Sequence, residues 1–354
     1  MIHVLIVEDS PSVRLLLHRI LESDADIRVV HRVASGEEAL LYLANPDRPV
    51  VHVVTMDIVM PGMDGFSATR RIMETTPLPI VIVSAAYKPD EVEHSFKAID
   101  AGAVAIVEKP VAPTHPDYPA IAANMVETVK LMAAVKVVTR FPRNLKHAAT
   151  PLSSLPLSPV AINSKAERHY DLLAIGASTG GPPVLLTILT TLTPSFPLPV
   201  LIVQHISQGF VAGLAQWLEN GAGIPVHVAT EGEICRPGHV YLAPDNCHMG
   251  ITFGLRILLD KSNPEKGQRP SVAFLFRSVT RVLAKQAIGV LLTGMGCDGA
   301  EQLKEMKEAG ALTFAQNEES CVVYGMPGEA VKLNGADYVL PPLALAEKIR
   351  ACIK

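Results

Sequence analysis

The first 137 residues alternate between short apolar runs and amphipathic segments. Five runs rich in Val and Ile predict strands: HVLIVED, IRVVHRVA, VHVVTMD, LPIVIVSA and AVAIVEKP. Helical spacing of apolar positions predicts helices over 11–23, 36–44, 65–75, 91–101 and 120–136. Because these strands are almost continuously apolar, we expect a parallel sheet that is covered by helices on both faces.

The pattern is again α/β from His169 onward. Predicted strands are the run at 172–175 and the segments PLPVLIVQH, GIPVHVAT, HVYLAP, AIGVLLTG and ALTFAQN, and MGITF with LRILLD predicts a β-hairpin. Predicted helices are VLLTILTTL and the segments 210–220, 272–284, 300–309 and 328–333. The fold class expected is therefore two doubly wound parallel-sheet domains, the first flavodoxin-like and the second Rossmann-like with a β-hairpin.

The periodicity is lost between residues 139 and 168. This segment is basic and rich in Pro, Ser and Ala, a composition typical of linkers. The alternative is a segment that packs between the domains and helps to set inhibition. The predicted division is a first domain over 1–138, a linker over 139–168 and a second domain over 169–354.

Composition excludes several classes of protein. With 354 residues and 49% hydrophobic residues, each domain can bury a core. The net charge of −4 offers no basic stripe for nucleic acid, and neither a signal peptide nor a ~20-residue apolar run for direct membrane insertion is found. Five scattered cysteines without a C-x-x-C motif indicate neither a disulfide framework nor a zinc site, so a reduced cytoplasmic protein is expected.

Polar residues of the first domain collect where its predicted strands end. Glu8 and Asp9 follow the first strand, Asp57 the third, Ser84 the fourth and Lys109 the fifth. Because strand carboxyl ends share one edge of a parallel sheet, three carboxylates would converge there and repel each other without a cation. Mg²⁺ suits these oxygen ligands, and the Lys and Ser side chains suit a phosphoryl group on Asp57. The alternative is a set of unrelated polar residues at strand ends.

Residues 1 to 137 resemble a two-component receiver domain. The resemblance is carried by Glu8-Asp9, Asp57 followed by MPGMDG, Ser84 and Lys109-Pro110. It implies that a histidine kinase phosphorylates Asp57 and that Glu8, Asp9 and Asp57 hold Mg²⁺. It also implies that Ser84 binds the phosphoryl group on switching and that Lys109 pairs with it.

A candidate nucleophile lies near the start of the second domain. Gly176-x-Ser178-x-Gly180 joins a predicted strand to a predicted helix, as in the G-x-S-x-G elbow that exposes a serine hydroxyl. The alternative is a glycine-rich, anion-binding turn in which Ser178 only caps the helix.

Ser178, His205 and Asp298 each follow the end of a predicted strand. If the three strands are neighbours, His205 can take the Ser178 proton while Asp298 orients the imidazole. Glycines around Met295 leave main-chain N–H groups that could face an oxyanion. Taken singly, His205 could instead bond to backbone and Asp298 could cap the following helix. The chain order Ser…His…Asp differs from the order in α/β-hydrolases, which argues against that fold.

The glycine turn 294–299 also fits the dinucleotide pattern G-x-G-x-x-G, with Glu318 and Glu319 about 20 residues further on. A nucleotide-binding domain is therefore an alternative. A carboxylate within the loop, that of Asp298, would repel a pyrophosphate, which disfavours it.

Residues 169 to 354 resemble the catalytic domain of the chemotaxis protein-glutamate methylesterases. The matching stretches are GASTGGP, Gln204-His205, RPGHVYLAP, RPSVAFLFRSV, LLTGMGCDGA and AQNEESCVVYGMPGEAV. The resemblance implies a catalytic triad of Ser178, His205 and Asp298, with Thr179 and Met295 lining the oxyanion site. No cofactor is implied for the esterase reaction.

The resemblance to both families implies a phosphorylation-activated serine esterase. Its substrates would be glutamate γ-methyl esters on methyl-accepting chemoreceptors, with glutamine deamidation as a second activity, and its phosphodonor a chemotaxis histidine kinase. The unphosphorylated first domain would cover the strand ends of the second. The alternatives are a non-catalytic signalling module linked to a receiver and, less favoured for want of a recognition helix, a DNA-binding regulator.

Three positions depart from the family patterns. Ile106 stands where many receivers have an aromatic switch residue, Ala273 where an acidic residue is expected, and Gly328 where a basic one is common. These departures leave open whether the receiver uses an aromatic switch and which substrate is preferred.

Overall fold

The structure is a computed structural model. It describes residues 1–85, 89–135, 137, 169–192 and 195–353, except for the side chains of residues 89–91 and 93. The predicted linker over 139–168 lies outside the described residues.

Strands and helices alternate in the first domain. The strands are β1 (Ile2–Val7), β2 (Ile27–Val33), β3 (Val53–Asp57), β4 (Ile80–Ser84) and β5 (Ala105–Glu108). The helices are α1 (Pro11–Leu21), α2 (Gly36–Ala44), α3 (Gly65–Thr75), α4 (Pro89–Ala101) and α5 (Tyr118–Met132). The sheet is parallel in the order β2-β1-β3-β4-β5, which confirms the predicted flavodoxin-like fold.

Local chemistry fixes the helix that follows Asp57. The side chain of Asp64 accepts a hydrogen bond from the N–H of Ser67 at 2.7 Å and so caps α3. Gly65 lies so close to β3 that a Cβ there would stand 2.0 Å from the carbonyl oxygen of Asp57. Glycine at this position therefore lets the helix begin directly against the end of the strand.

The second domain has a larger sheet. Its strands are β6 (Leu172–Ala177), β7 (Val200–Gln204), β8 (Val226–Val228), β9 (Val240–Leu242), β10 (His248–Thr252), β11 (Arg256–Asp260), β12 (Ala287–Leu291), β13 (Leu312–Gln316) and β14 (Tyr338–Leu340). Its helices are α6 (Gly181–Leu192), α7 (Val211–Ala222), α8 (Val272–Leu283), α9 (Ala300–Glu308), α10 (Met326–Lys332) and α11 (Pro342–Cys352).

The topology confirms a doubly wound domain with a hairpin. Seven parallel strands lie in the order β14-β13-β12-β6-β7-β9-β8, and β10 pairs antiparallel with β11. β14 and α11 were not predicted from the sequence; β14 is a three-residue edge strand with little burial. Within the described ranges, no helix is long and apolar enough to cross a bilayer.

The two domains share an apolar contact between α4 and α7. Val92 and Phe96 of α4 are 3% and 0% exposed and belong to the same buried cluster as the core of the second domain. The ring of Phe96 stacks on Trp217 with 5.7 Å between centroids, and Trp217 Nε1 donates to Asp100 Oδ2 at 3.0 Å. A Cβ at Gly213 would stand 2.2 Å from Val92 Cγ1, so this glycine permits the close approach.

A second contact joins the two domains at α5. Val322 and Val323, in the segment before α10, pack against the apolar cluster that contains Met125 and Val129 of α5. The face of the first domain formed by α4, β5 and α5 is thus held at two points.

Candidate active site

Three neighbouring strands at the centre of the second sheet carry the predicted triad. Gly176 of β6 is level with Leu291 of β12, and Ala177 is level with Gln204 of β7. Ser178 and His205 come directly after β6 and β7, and Asp298 lies in the loop after β12. Adjacent strands are about 4.8 Å apart, so these side chains meet at one edge.

His205 and Asp298 are in direct contact. Nε2 of His205 lies 3.0 Å from Oδ2 of Asp298, and the two side chains are 8% and 4% exposed. With Nε2 engaged, Nδ1 is the ring nitrogen left to take a proton from Ser178, although the Ser178 hydroxyl makes no hydrogen bond to the ring in this structure. This allocation of the two nitrogens is the reverse of that in the chymotrypsin-type triad.

The carboxylate of Asp298 sits at the N-terminus of α8. Oδ1 accepts from Ser271 Oγ at 2.9 Å and from the N–H of Ala273 at 3.1 Å, and Oδ2 accepts from the N–H of Val272 at 2.7 Å. The N-terminus of a helix favours a negative charge. Asp298 is therefore a buried carboxylate with every oxygen paired.

This placement corrects one alternative from the sequence. Asp298 does not cap α9, since the N-cap of that helix is Gly299 with φ of 82° and no side-chain cap. The side chain instead reaches back to α8, which precedes it in sequence.

The environment keeps Asp298 ionised. Burial alone would raise the pKa of Asp298, but the hydrogen bond and charge of His205 and the N–H groups of Val272 and Ala273 outweigh it. The pKa of Asp298 consequently lies below its ordinary value. A fixed negative charge beside an imidazole stabilises the protonated form of that imidazole.

Ser178 lies on a tightly packed turn. Its N–H donates to the carbonyl of Thr293 at 3.0 Å, and its own carbonyl accepts from the N–H of Gly181 at 2.8 Å. A Cβ at Gly294 would stand 2.5 Å from the Cβ of Ser178, so only glycine fits beneath the serine. Ser178 and His205 both line a cavity of about 510 Å³.

Thr179 and Met295 line the same cavity. Neither of their main-chain N–H groups donates to an acceptor in the described part of the chain. Thr293 holds the turn that carries Thr179, because its Oγ1 donates to the carbonyl of Thr179 at 3.0 Å. Two main-chain donors without an acceptor in the cavity that Ser178 lines are candidates for an oxyanion site.

Ser271 and Thr293 were not among the residues predicted for the site. Ser271 precedes a helix, a pattern that signals an N-cap, and its side chain does accept from the N–H of Phe274. Its second bond, to Asp298, depends on two loops meeting in space. No local pattern in the sequence carries that information.

The three departures from the family patterns have defined surroundings. Ala273 is 2% exposed in the first turn of α8 and supports Asp298 through its N–H. Gly328 lies in α10, where a Cβ would stand 3.0 Å from the ring of Tyr324. Ile106 of β5 is half-buried, packs against the cores of both domains and lines the cavity.

The first domain holds a second polar cluster. Carboxylate oxygens of Glu8, Asp9 and Asp57 lie within 4.8 Å of one another. Lys109 Nζ is 2.8 Å from Asp57 Oδ1 and 3.3 Å from Glu8 Oε2. Asp57 Oδ2 and Ser84 Oγ are buried, and neither has a hydrogen-bond partner among the described residues.

Two of the three carboxylates, those of Glu8 and Asp57, share the ammonium of Lys109. Burial raises the pKa of Glu8 to about 7, and the neighbouring charge of Asp57 adds to the rise. Burial also raises the pKa of Asp57, although Lys109 opposes this. Hard oxygen donors, an excess of negative charge and the unpaired Asp57 Oδ2 fit a Mg²⁺ ion, which binds through a few carboxylates and keeps several waters.

Comparison with known proteins agrees with this arrangement. Residues 173–349 match the family model of the CheB methylesterase, and residues 4–115 match that of the response regulator receiver domain. A crystal structure of the Thermotoga maritima CheB methylesterase catalytic domain superposes with a TM-score of 0.51 at 37% identity, covering 52% of this chain and 99% of that one. The fold and the site thus define a response regulator that carries a hydrolase domain.

Relatives match along the whole chain. It is 51% identical over 348 residues to protein-glutamate methylesterase/protein-glutamine glutaminase 1 of Syntrophus aciditrophicus, covering 98% of this chain and 97% of that protein. It is 50% identical over 353 residues to the protein-glutamate methylesterase/protein-glutamine glutaminase of Nitrosospira multiformis, covering 100% and 96%. The chain belongs to the CheB methylesterase family.

The contact of Asp298 with His205 leads to a kinetic prediction. Asp298→Asn removes the negative charge that stabilises a protonated His205, so reaction of Ser178 with a fluorophosphonate probe should slow by about 10³- to 10⁴-fold. Asp337→Asn is the matched control, since this carboxylate accepts from Thr313 at 3.1 Å and does not line the cavity. Equal labelling rates in the two variants would contradict the assigned role of Asp298.

Proposed function

We propose that this protein hydrolyses glutamate γ-methyl esters on methyl-accepting chemoreceptors to glutamate and methanol, and also deamidates receptor glutamines. The observation that carries the proposal is the paired His205–Asp298 beside Ser178 at the ends of adjacent strands. The names of the whole-chain relatives, protein-glutamate methylesterase/protein-glutamine glutaminase, support these two reactions.

Ser178 is the nucleophile in this proposal. Nδ1 of His205 takes the proton from Ser178 Oγ as that oxygen attacks the ester carbonyl. The negative charge of Asp298 stabilises the imidazolium that forms, and its bond to Nε2 holds the ring orientation. Because both partners are buried, the attraction is little screened by solvent.

The tetrahedral intermediate needs donors for its oxyanion. The N–H groups of Thr179 and Met295 are the candidates. As the intermediate collapses, the carbon–oxygen bond to the methoxy group breaks and His205 returns its proton, so that methanol leaves. A water molecule, deprotonated by His205, then hydrolyses the acyl-serine to glutamate and free Ser178. With a glutamine substrate, ammonia leaves in place of methanol.

The first domain is the proposed regulator. Asp57 accepts the phosphoryl group from a chemotaxis histidine kinase, Lys109 pairs with that group and Ser84 binds it on switching. Glu8, Asp9 and Asp57 would hold Mg²⁺, which neutralises negative charge around the phosphoryl group when bound. The proposed organisation keeps the division into a receiver over 1–138, a linker over 139–168 and a catalytic domain over 169–354.

Access to Ser178 supports steric inhibition by the receiver. The cavity is lined on one side by Ser178 and His205, and on the other by residues of β5 and α5 such as Ile106 and Glu127. A substrate helix is about 10 Å wide with its side chains, so it needs an open groove rather than a cavity of about 510 Å³. Phosphorylation of Asp57 would shift the population toward a form with the domains apart.

Ser178→Ala should reduce methanol release from methylated receptor membranes to the uncatalysed background, because no acyl-enzyme can form. Ser262→Ala, at an exposed position, is the control and should keep the parent rate. Turnover by Ser178→Ala would remove Ser178 from its role. A parent protein that neither releases methanol nor reacts with a fluorophosphonate would favour the non-catalytic signalling module.

Acetyl phosphate with Mg²⁺ should stimulate methanol release by the parent protein. Asp57→Asn should lose this stimulation, since an amide cannot form the acyl phosphate. Asp47→Asn, at an exposed position of the same domain, should keep it. Stimulation that persists in Asp57→Asn would place the phosphoacceptor elsewhere.

Phe96→Ala should raise the unstimulated methanol rate. Losing one or two kcal/mol of contact free energy changes the ratio of closed to open forms by a factor of about 5 to 30. Trp217 is the single tryptophan of the chain, so its emission should shift to longer wavelength as the contact opens. Leu41→Ala is the control, because Leu41 is 75% exposed. An unchanged rate and emission in Phe96→Ala would contradict inhibition through this contact.

A further inference from the structure

Gln204 lies between Ser178 and His205, the two residues that exchange a proton in the proposed mechanism. It is the last residue of β7, its Cα is level with Ala177, and it directly precedes His205. Its side chain is 5% exposed. The nearest main-chain bond between the strands at this level runs from the N–H of His205 to the carbonyl of Ala177, at 2.9 Å.

Beyond this bond, the side chain of Gln204 continues the connection between the strands. Its Nε2 donates to the carbonyl of Ser178 at 2.8 Å and to the carbonyl of His205 at 2.8 Å. Two carbonyl oxygens cannot bond to each other, so a single group that joins them must donate two hydrogens; the carbonyl of Ser178 accepts from the N–H of Gly181 as well. A side-chain amide supplies two, and only the orientation with Nε2 toward both carbonyls satisfies them.

The turn after Ser178 is shaped around this amide. Oε1 of Gln204 is buried, has no hydrogen-bond partner within the described ranges, and faces Gly181. A Cβ at Gly181 would stand 2.0 Å from that oxygen. The glycine at the start of α6 therefore leaves the space in which the amide lies.

We propose that Gln204 is a positioning residue that fixes the distance and orientation between Ser178 and His205. This inference rests on the proposed function, since it assigns a role within the same reaction. One amide binds the carbonyls of both residues. It therefore restrains the two loops relative to each other beyond the last main-chain hydrogen bond between β6 and β7. Proton transfer depends steeply on such a restraint, since a displacement of about 1 Å can cost about 100-fold in rate.

The test compares Gln204→Met and Gln204→Glu with the parent protein. Methionine keeps the length of the side chain without donors, and glutamate replaces the donors with an oxygen that repels both carbonyls. Both variants should lower kcat for methanol release and the rate of fluorophosphonate labelling of Ser178 by about 10- to 100-fold, with KM little changed. Gln302→Met is the control, at a glutamine of α9 that is 7% exposed and does not line the cavity.

These readouts separate positioning from support of the fold. A purely structural role would lower the melting temperature of Gln204→Met but leave the labelling of folded protein at the parent rate, and that result would overturn the proposal. A parent protein whose Ser178 does not react would overturn the proposed function together with this inference. A reactive parent with equally reactive Gln204 variants would overturn the inference alone.

A second variant tests the same idea from the other side of the contact. Gly181→Ala should displace the amide and lower the labelling rate, although Gln204 itself is unchanged. In a Gln204→Ala background the same change should cost far less, because the amide that it would meet is gone and only the Cβ of Ala177, at 3.0 Å, remains. Losses that simply multiply in the double variant would contradict a shared mechanism.

Discussion

The active site depends on keeping one carboxylate charged inside the protein. Asp298 is 4% exposed, and burial of an unpaired charge would be expensive. The start of α8 offsets this cost, because two main-chain N–H groups and the hydroxyl of Ser271 donate hydrogen bonds to Asp298. The ring of His205 is the fourth partner. The same bonds that make the charge tolerable also fix its direction, so the carboxylate can orient an imidazole on a neighbouring strand.

That arrangement requires α8 to come very close to the sheet, and glycine makes the approach possible. Val272, the first residue of α8, lies between Gly176 at the end of β6 and Gly299 before α9. A Cβ at Gly176 would stand 2.3 Å from Val272 Cγ1, and one at Gly299 would stand 2.4 Å from it. Small residues in two loops are thus a packing requirement of the helix that holds Asp298, in addition to any role in exposing Ser178.

Much of this could be predicted from the sequence, because it follows from strand periodicity. Parallel strands place their carboxyl ends together, so the polar residues after each apolar run could be grouped before any coordinates were known. The contacts of Ser271 with Asp298 and of Gln204 with two carbonyls could not, since they join loops that are distant in the chain. The stacking of Phe96 on Trp217 was equally inaccessible, because it depends on how two separate domains meet.

The closed arrangement has a consequence for how regulation would work. The bond between His205 and Asp298 is already formed at 3.0 Å with the first domain in contact. The apolar contacts of Val92 and Phe96 lie on α7. Val323 packs against the α5 cluster and is also bonded to the turn beside Ser178, since its N–H donates to Thr293 Oγ1 at 3.0 Å and its carbonyl accepts from the N–H of Gly294 at 3.0 Å. In the proposed inhibition, docking of the first domain would narrow access to Ser178 and, through Val323 and Thr293, would also touch the turn that carries Thr179. Separation of the domains would admit the substrate helix, and it would also release Val322 and Val323 from the α5 cluster.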